Sequence, residues 1–425
     1  MNKVAILFPG QGVQYVGMGK RIYDNYLTAR KVFEEASDTL HHDLRKICFE
    51  GSSYELAKTE STQPLILTVG VAAFRVLIEH TKIEPEFLAG HSLGEITALV
   101  CANNIKFSDA VMLVKLRGKY MQEATPEGLG AMLAVNGIDA AVVKEECDNI
   151  NVNNNEIVVV SNYNSPYQTV ISGYKHSVET VGKLLEREGA QLVRINVSAP
   201  FHSFLMKPAA ERFYKKLLEL SYDRLDYPVV SNITAFPYTN SNFIPDMLAS
   251  QMIKPVQWTK TMKFLQQQGI NIYIDIGPND VLKNLTKKNV MNVNVFSFDT
   301  DEETTLELDE RAKDEVAMGD YEEAGYTFIE RCLAIAVCTP NNCDRYENSE
   351  EQIAIYRRMK KLLGEYESDI KNSISTIVQM KQSLDMLCTI FNIKNTPLQE
   401  QKNRLRVLFK DTGTTNLFYD YVFTD

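Results

Sequence analysis

The 425-residue chain has little of what marks a membrane, disulfide-built or metal-built protein. Its apolar runs stop short of a membrane span, and Met1-Asn2-Lys3-Val4 leads straight into a strand, so neither a membrane anchor nor a signal peptide is expected. Cysteines are few, odd in number and scattered (Cys48, Cys101, Cys147, Cys332, Cys338, Cys343, Cys388), which excludes a disulfide framework and suits reduced thiols in a cytoplasm. Cys338 and Cys343 lack the spacing and neighbouring histidines of a zinc site, so no metal is read there. An excess of positive charge is also missing. The first 300 residues carry 30 Lys+Arg against 31 Asp+Glu, and residues 301–425 carry 15 against 24. A near-neutral body with an acidic tail argues against a nucleic-acid partner, and the shift in charge marks the clearest boundary in the chain.

What the chain does have is a hydrophobic share of 44%, enough for a large core, and one stretch around which the rest is organised. Ala89-Gly90-His91-Ser92-Leu93-Gly94-Glu95 is a G-x-S-x-G turn with an apolar strand (Phe87-Leu88-Ala89) before it and a proline-free helical pattern through Ala98, Leu99 and Ala102 after it. A serine at such a turn projects its hydroxyl outward, the glycines let the backbone bend, and the first helical amide, that of Leu93, lies where an oxyanion would develop. A glycine-rich turn with an incidental serine is the plainer reading of the same residues.

Upstream, Lys3–Phe8 reads as a buried parallel strand that stops at Pro9-Gly10-Gln11-Gly12. That loop lacks the Gly-Lys-Ser/Thr ending of a phosphate-binding loop; it can present a backbone amide to a reacting carbonyl, or be a plain turn. A helix with Ile22, Tyr26, Ala29 and Phe33 on one face follows from near Met18, and Gln63-Pro64 opens a strongly apolar core helix. From Ser108 to Ala124 the stripe Ala110, Val111, Val114, Gly118, Met121 predicts another helix, with Arg117 on or beside its apolar face. A guanidinium there needs an anion: either one of the protein's own carboxylates or a substrate carboxylate held bidentately.

Gly128–Ser198 reads strand, helix, strand, strand, helix, strand, with a last strand over Gln191–Val197. This is the split-βαβ, ferredoxin-like order, inserted as a lobe beside the main sheet, and the cleft between such lobes is a usual place for ligands. The chain leaves the lobe at Pro200-Phe201-His202-Ser203, ahead of an amphipathic helix through Leu205, Phe213 and Leu217; His202 is a helix cap, a surface group or a catalyst depending on its distance from Ser92. Pro228–Asn232, Ala249–Gln251 and Ile272–Pro278 read as further strands and edge loops. After an acidic linker from Asp301, helical patterns occupy Tyr321–Val337 and one long run over Glu350–Phe391, with Ile370, Ile374, Ile377, Leu384, Leu387 and Phe391 near one face. These helices are a stabilising cap or a partner-binding module.

Together these stretches resemble the malonyl-CoA:acyl carrier protein transacylases, from residue 1 to about 297. The matching residues are Phe8–Gly12, Thr62-Gln63-Pro64, Gly90–Glu95, Arg117-Gly118 with Met121-Gln122, Asn162 with Ser165-Pro166, Val170–Gly173, Pro200–Ser203, Gln251 with Pro255–Trp258, and Gly277-Pro278 with Val281-Leu282. Val13, Asp275 and Asn279 depart from that pattern, where serine, glutamate and glycine are usual. The resemblance implies an α/β-hydrolase-like catalytic subdomain with a parallel sheet (1–127 and 199–297), an inserted ferredoxin-like subdomain (128–198), and a linker with a helical extension (298–425). It implies Ser92 as nucleophile, His202 as its base oriented by a backbone carbonyl near Gln251, and an oxyanion hole from the amides of Gln11 and Leu93. It further implies Arg117 as clamp for a malonyl carboxylate, a pocket lined by His91, Asn162, Phe201 and Gln251, and no metal or redox cofactor. The partners implied are malonyl-CoA and an acyl carrier protein. The extension beyond residue 300 resembles the free-standing acyltransferases that serve polyketide synthases in trans. The other readings are the transacylase of fatty-acid synthesis, an editing acyl hydrolase, a general α/β-hydrolase esterase and a non-catalytic carrier-docking protein.

Overall fold

The computed structural model describes residues 3–81, 83–154, 157–195, 199–300, 318–342, 349–368, 373–414 and 418. The chain divides into two compact units, Asn2–Asp309 and Glu310–Asp425.

The first unit is built on β1 (Val4–Phe8), whose residues are buried on both faces as in the centre of a parallel sheet. With β2 (Phe87–Gly90), β7 (Val229–Val230), β8 (Ile272–Asp275) and β9 (Asn294–Ser297), it forms a five-stranded sheet in the order β7-β2-β1-β8-β9, all pairs parallel. The chain steps from β1 to β2 on one side and later to β8 on the other, so the carboxyl ends of these strands open the crevice where ligands of open α/β sheets bind. The second sheet contains β3 (Gly130–Asn136), β4 (Val158–Ser165), β5 (Gln168–Tyr174) and β6 (Gln191–Arg194) in the antiparallel order β4-β5-β3-β6, the ferredoxin-like arrangement. Its β4 edge is tied to the larger sheet's side: Tyr163 N–H donates to the Val256 carbonyl and Val256 N–H to that of Ser161, both at 2.9 Å.

Several boundaries differ from those expected. The apolar helix begins at Thr59 and runs to His80, with Pro64 inside it. The turn ahead of the proline is held by Ser61 and Thr62 N–H groups on the Lys58 carbonyl and by Gln122, which accepts from the Glu60 N–H at 3.0 Å. By length and composition this helix could cross a membrane, but it is apolar all round because it is enclosed in the core. The helix expected from Met18 is two, Lys20–Asn25 and Leu27–Leu40, interrupted by extended Tyr26. Ala249–Gln251 is the end of a helix, Ile244–Gln251, with Pro245 at its start and Ile244 and Leu248 buried. The strand β6 ends at Arg194, and residues 196–198 lie outside the described residues.

The second unit contains four described helices, Met318–Cys338, Ser349–Ser368, Ser373–Ile393 and Leu398–Asp411. The single run expected over Glu350–Phe391 is thus two helices; Ile370 lies outside the described residues, as do the side chains of Ile374 and Ile377, and Cys343. The helices enclose their own core, with Phe328, Phe409 and Phe418 in mutual ring contact and Met380, Leu384, Leu387 and Phe391 fully buried. The buried Lys394 ammonium donates to the Ala336 and Thr339 carbonyls at 2.9 and 2.6 Å, satisfying the end of the first of these helices.

The apolar clusters of the first unit draw on residues up to Phe298, and that of the second begins at Phe328. A chain ending at residue 300 is therefore expected to stay soluble and to unfold in one cooperative transition, its melting temperature changed by no more than about 4 °C. Calorimetry checks this; an insoluble or non-cooperative product would show that the helices complete the first core.

Candidate active site

The turn after β2 holds Ser92 at φ 52° and ψ −106°, a strained conformation characteristic of an exposed nucleophile. The strain is kept by close packing. A Cβ on Gly94 would lie 1.9 Å from the Phe8 carbonyl oxygen, so only glycine lets the helix Leu93–Cys101 settle against the end of β1. Asn232, just after β7, braces the same turn: its Oδ1 accepts from Ser92 N–H at 2.6 Å and its Nδ2 donates to the Gly90 carbonyl at 2.5 Å.

His202 approaches from the loop after the small sheet, also in the left-handed region at φ 56°. Its Nε2 is 2.8 Å from Ser92 Oγ, and its Nδ1 is 2.7 Å from the Gln251 carbonyl oxygen. A carbonyl can only accept, so the proton sits on Nδ1 and the Nε2 lone pair faces the serine hydroxyl. Burial, and then the nearby Arg117 charge, push His202 down to about 3, so the imidazole is held neutral.

Arg117 projects from the helix Phe107–Glu123, which lies against Thr59–His80 closely enough that a Cβ on Gly118 would be 2.5 Å from the Thr59 carbonyl oxygen. Arg117 is 1 % exposed. Its Nη1 donates to Gln63 Oε1 at 3.0 Å, and its Nη2 to Gln251 Oε1 at 3.0 Å and to Ser92 Oγ at 3.2 Å. Among the described residues its Nε has no partner, and every partner it has is neutral. Burial pushes Arg117 down to about 10, opposed by the charge of Glu95. Of the two anions considered for it, no carboxylate of the protein is bonded to it among the described residues.

These groups open on a cavity of about 470 Å³ between the two sheets. Gln11, Leu93, His91, Phe201 and Asn162 all line it, so the structure brings every sequence-predicted site residue to the cavity or its wall, Gln251 standing just behind Arg117. His91 Nε2 is 2.9 Å from Asn164 Oδ1, and its ring meets Trp258 edge-on. Asn162 Oδ1 accepts from Ser161 Oγ at 2.7 Å. Four residues were missed: Gln63, Glu95, Asn232 and Tyr238. Gln63 and Glu95 stand inside the Thr62-Gln63-Pro64 and Gly90–Glu95 motifs but show no sign of a partner there, because their partners lie far away in sequence.

The geometry supplies a nucleophile with a neutral base and, beside it, a cation with a spare donor, in a cavity that Gln11 and Leu93 also line, the equipment for acyl transfer from a carboxylate-bearing acyl group. Comparison with known proteins agrees. The acyl transferase domain model matches residues 6–326. The chain is 44% identical over 288 residues to the malonyl CoA-acyl carrier protein transacylase of Bacillus subtilis, covering 68% of this chain and 72% of that one. It is 42% identical over 289 residues to the protein of the same name from Escherichia coli K12, covering 68% and 93%. Among solved structures, FabD from Acinetobacter baumannii matches with a TM-score of 0.70 and 40% identity, covering 73% of this chain and 99% of that one. A type II PKS acyl-carrier protein in complex with its malonyl-transacylase matches with a TM-score of 0.69 and 39% identity, covering 72% and 99%.

Proposed function

Because the chain belongs to the acyl transferase family, among the malonyl CoA-acyl carrier protein transacylases, we propose that it carries malonyl from malonyl-CoA, through an ester on Ser92, to the phosphopantetheine thiol of an acyl carrier protein. The observation that carries this reading is a buried guanidinium, with no carboxylate bonded to it among the described residues, placed 3.2 Å from a serine hydroxyl that is paired with a histidine base.

Ser92 Oγ attacks the thioester carbonyl and its proton passes to His202 Nε2. The oxyanion forms against the amides of Gln11 and Leu93. Collapse breaks the C–S bond, and the proton on His202 goes to the departing CoA sulfur. The carrier thiol then gives its proton to His202 and attacks the ester, and Ser92 leaves and recovers that proton. Arg117 holds the free malonyl carboxylate in a bidentate pair, the acid it was buried without. Phe201, next to the base, leaves little room for a 2-methyl branch, which favours malonyl over methylmalonyl; His91 and Asn162 complete the wall.

A polyketide synthase served in trans is the setting we favour, supported by the helical unit beyond residue 310 and by the likeness to a transacylase held with a type II PKS acyl-carrier protein. Carriers of fatty-acid synthesis fit the same chemistry. An editing hydrolase has no use for Arg117, and a docking protein none for the Ser92–His202 contact. The cytoplasm is the compartment in keeping with the unpaired cysteines among the described residues.

The test is intact-protein mass after brief exposure to malonyl-CoA, then a chase with pantetheinylated acyl carrier protein. One malonyl group is gained, is absent in Ser92→Ala, and passes to the carrier. Release of malonate without carrier loading would instead make the protein a hydrolase, and no adduct would remove the covalent route.

A further inference from the structure

Glu95 is a buried carboxylate, 1 % exposed, that the chemistry above does not use. It sits in the first turn of the helix that Ser92 starts. Its Oε1 accepts from Tyr238 OH at 2.5 Å; its Oε2 accepts from Gln251 Nε2 at 2.5 Å and from the Asn232 N–H at 3.1 Å. Gln251 Nε2 also donates to the Ser92 carbonyl at 3.0 Å. Both of those partners are acceptors, so the amide nitrogen must face them, and this turns Gln251 Oε1 toward Arg117 Nη2. The same residue's backbone carbonyl receives His202 Nδ1–H. One carboxylate thereby fixes the side chain that orients the clamp, while the base rests on a backbone carbonyl set by the end of the Ile244–Gln251 helix and not by that side chain.

The charge has a second use. Arg117 is desolvated and has only neutral hydrogen-bond partners among the described residues, so an anion one residue away, behind Gln251, offsets the cost of keeping it ionised before substrate arrives. The titratable groups facing this centre are Glu95 and His202 around Arg117, His91 beside His202, and Tyr238 on Glu95. Burial raises the Glu95 pKa, and the donors from Tyr238, Gln251, Asn232 and Ser231 oppose that rise and favour its ionised form. Ionised, Glu95 is the group whose charge favours the guanidinium cation, and Arg117 in turn disfavours imidazolium at His202.

We propose that Glu95 is a positioning residue for acyl choice: through Gln251 it keeps Arg117 aimed and ionised in the empty site, so that a carboxylate-bearing acyl group is taken over a neutral one. This rests on the malonyl-transfer reading.

The full chain carrying Glu95→Gln is compared with wild type for the rate of loading from malonyl-CoA and from acetyl-CoA. Malonyl loading falls about 30- to 100-fold and acetyl loading changes by no more than about threefold. The pH at which malonyl preference is lost on the alkaline side moves down, because removing the anion lets Arg117 lose its proton more easily. Parallel losses for the two donors, or an unchanged ratio, overturn the proposal. Tyr238→Phe takes only one hydroxyl from Glu95 and guards against a Glu95→Gln chain that does not fold. It lowers malonyl loading severalfold and leaves acetyl loading alone, and a wild-type ratio in it overturns the proposal as well. The two readings separate cleanly: wild type that takes no malonyl defeats the transferase itself, whereas wild type that loads normally beside a variant of unchanged ratio defeats Glu95 alone.

Discussion

Replacing His202 by alanine is expected to slow malonyl loading of Ser92 by about 10⁴-fold or more, the loss seen when a nucleophile is deprived of its base. The imidazole has both ring nitrogens committed, one to Gln251 O at 2.7 Å and one to Ser92 Oγ at 2.8 Å; the other group bonded to that hydroxyl among the described residues is the Arg117 guanidinium, which can only donate. The variant keeps Arg117 and the proposed oxyanion amides, so malonyl-CoA is expected still to bind; the loss falls on the chemical step and is read in single-turnover mass spectrometry. A loss of less than tenfold would mean that water or another base does the work.

The same histidine sets the pH behaviour. Its value is held down to about 3 by burial and by Arg117, against 6.5 for a free imidazole. The base of the empty enzyme therefore stays neutral through pH 5, and the acid limb of kcat/KM for loading lies well below 6.5. Stability moves the other way. Between 6.5 and about 3 the unfolded chain binds a proton that the folded chain refuses, so this group's contribution is present above 6.5 and is lost as pH falls toward 3. An acid limb near 6.5 would mean that the histidine is solvated in solution.

The second large effect belongs to Arg117. Arg117→Ala is expected to reduce malonyl loading by about 10³-fold, the value of a buried, charge-assisted carboxylate pair, and to leave acetyl loading within about tenfold of wild type. The asymmetry follows from the proposed mechanism, in which Arg117 meets the acyl group at its far carboxylate whereas Ser92, His202, Gln11 and Leu93 act on the carbonyl common to both donors. Neutral replacement also removes the cation that the Ser92 hydroxyl accepts from at 3.2 Å, so the nucleophile is less hindered toward a neutral acyl group. Equal losses for the two donors would take the clamp out of the mechanism and, with it, the selection assigned to Glu95.

Much of this protein was legible before any fold was known. The five buried residues of β1, the elbow at Gly90–Gly94, the alternation of strands and helices across 130–194 and the inward place of Arg117 are local patterns. Their signal is written within a few residues, because strand and helix periodicity decide which side chains leave water. The boundaries that differ have local causes too: Pro64 reads as a helix start, but the turn before it is held from outside the helix, and Ala249–Gln251 is too short to show the helix it closes.

What the sequence could not determine was convergence. Ser92 and His202 are 110 residues apart, Arg117 and Gln251 134, and Glu95 and Gln251 156. Nothing within a few residues of Glu95 says whether it faces solvent or a glutamine amide, since a glutamate in the first helical turn is favourable in either place. The tertiary structure decided it, by bringing the ends of β1 and β2, the loop after β7 and the end of the Ile244–Gln251 helix to one side of the sheet. There the cost of burying a charge can be met only by donors from distant parts of the chain.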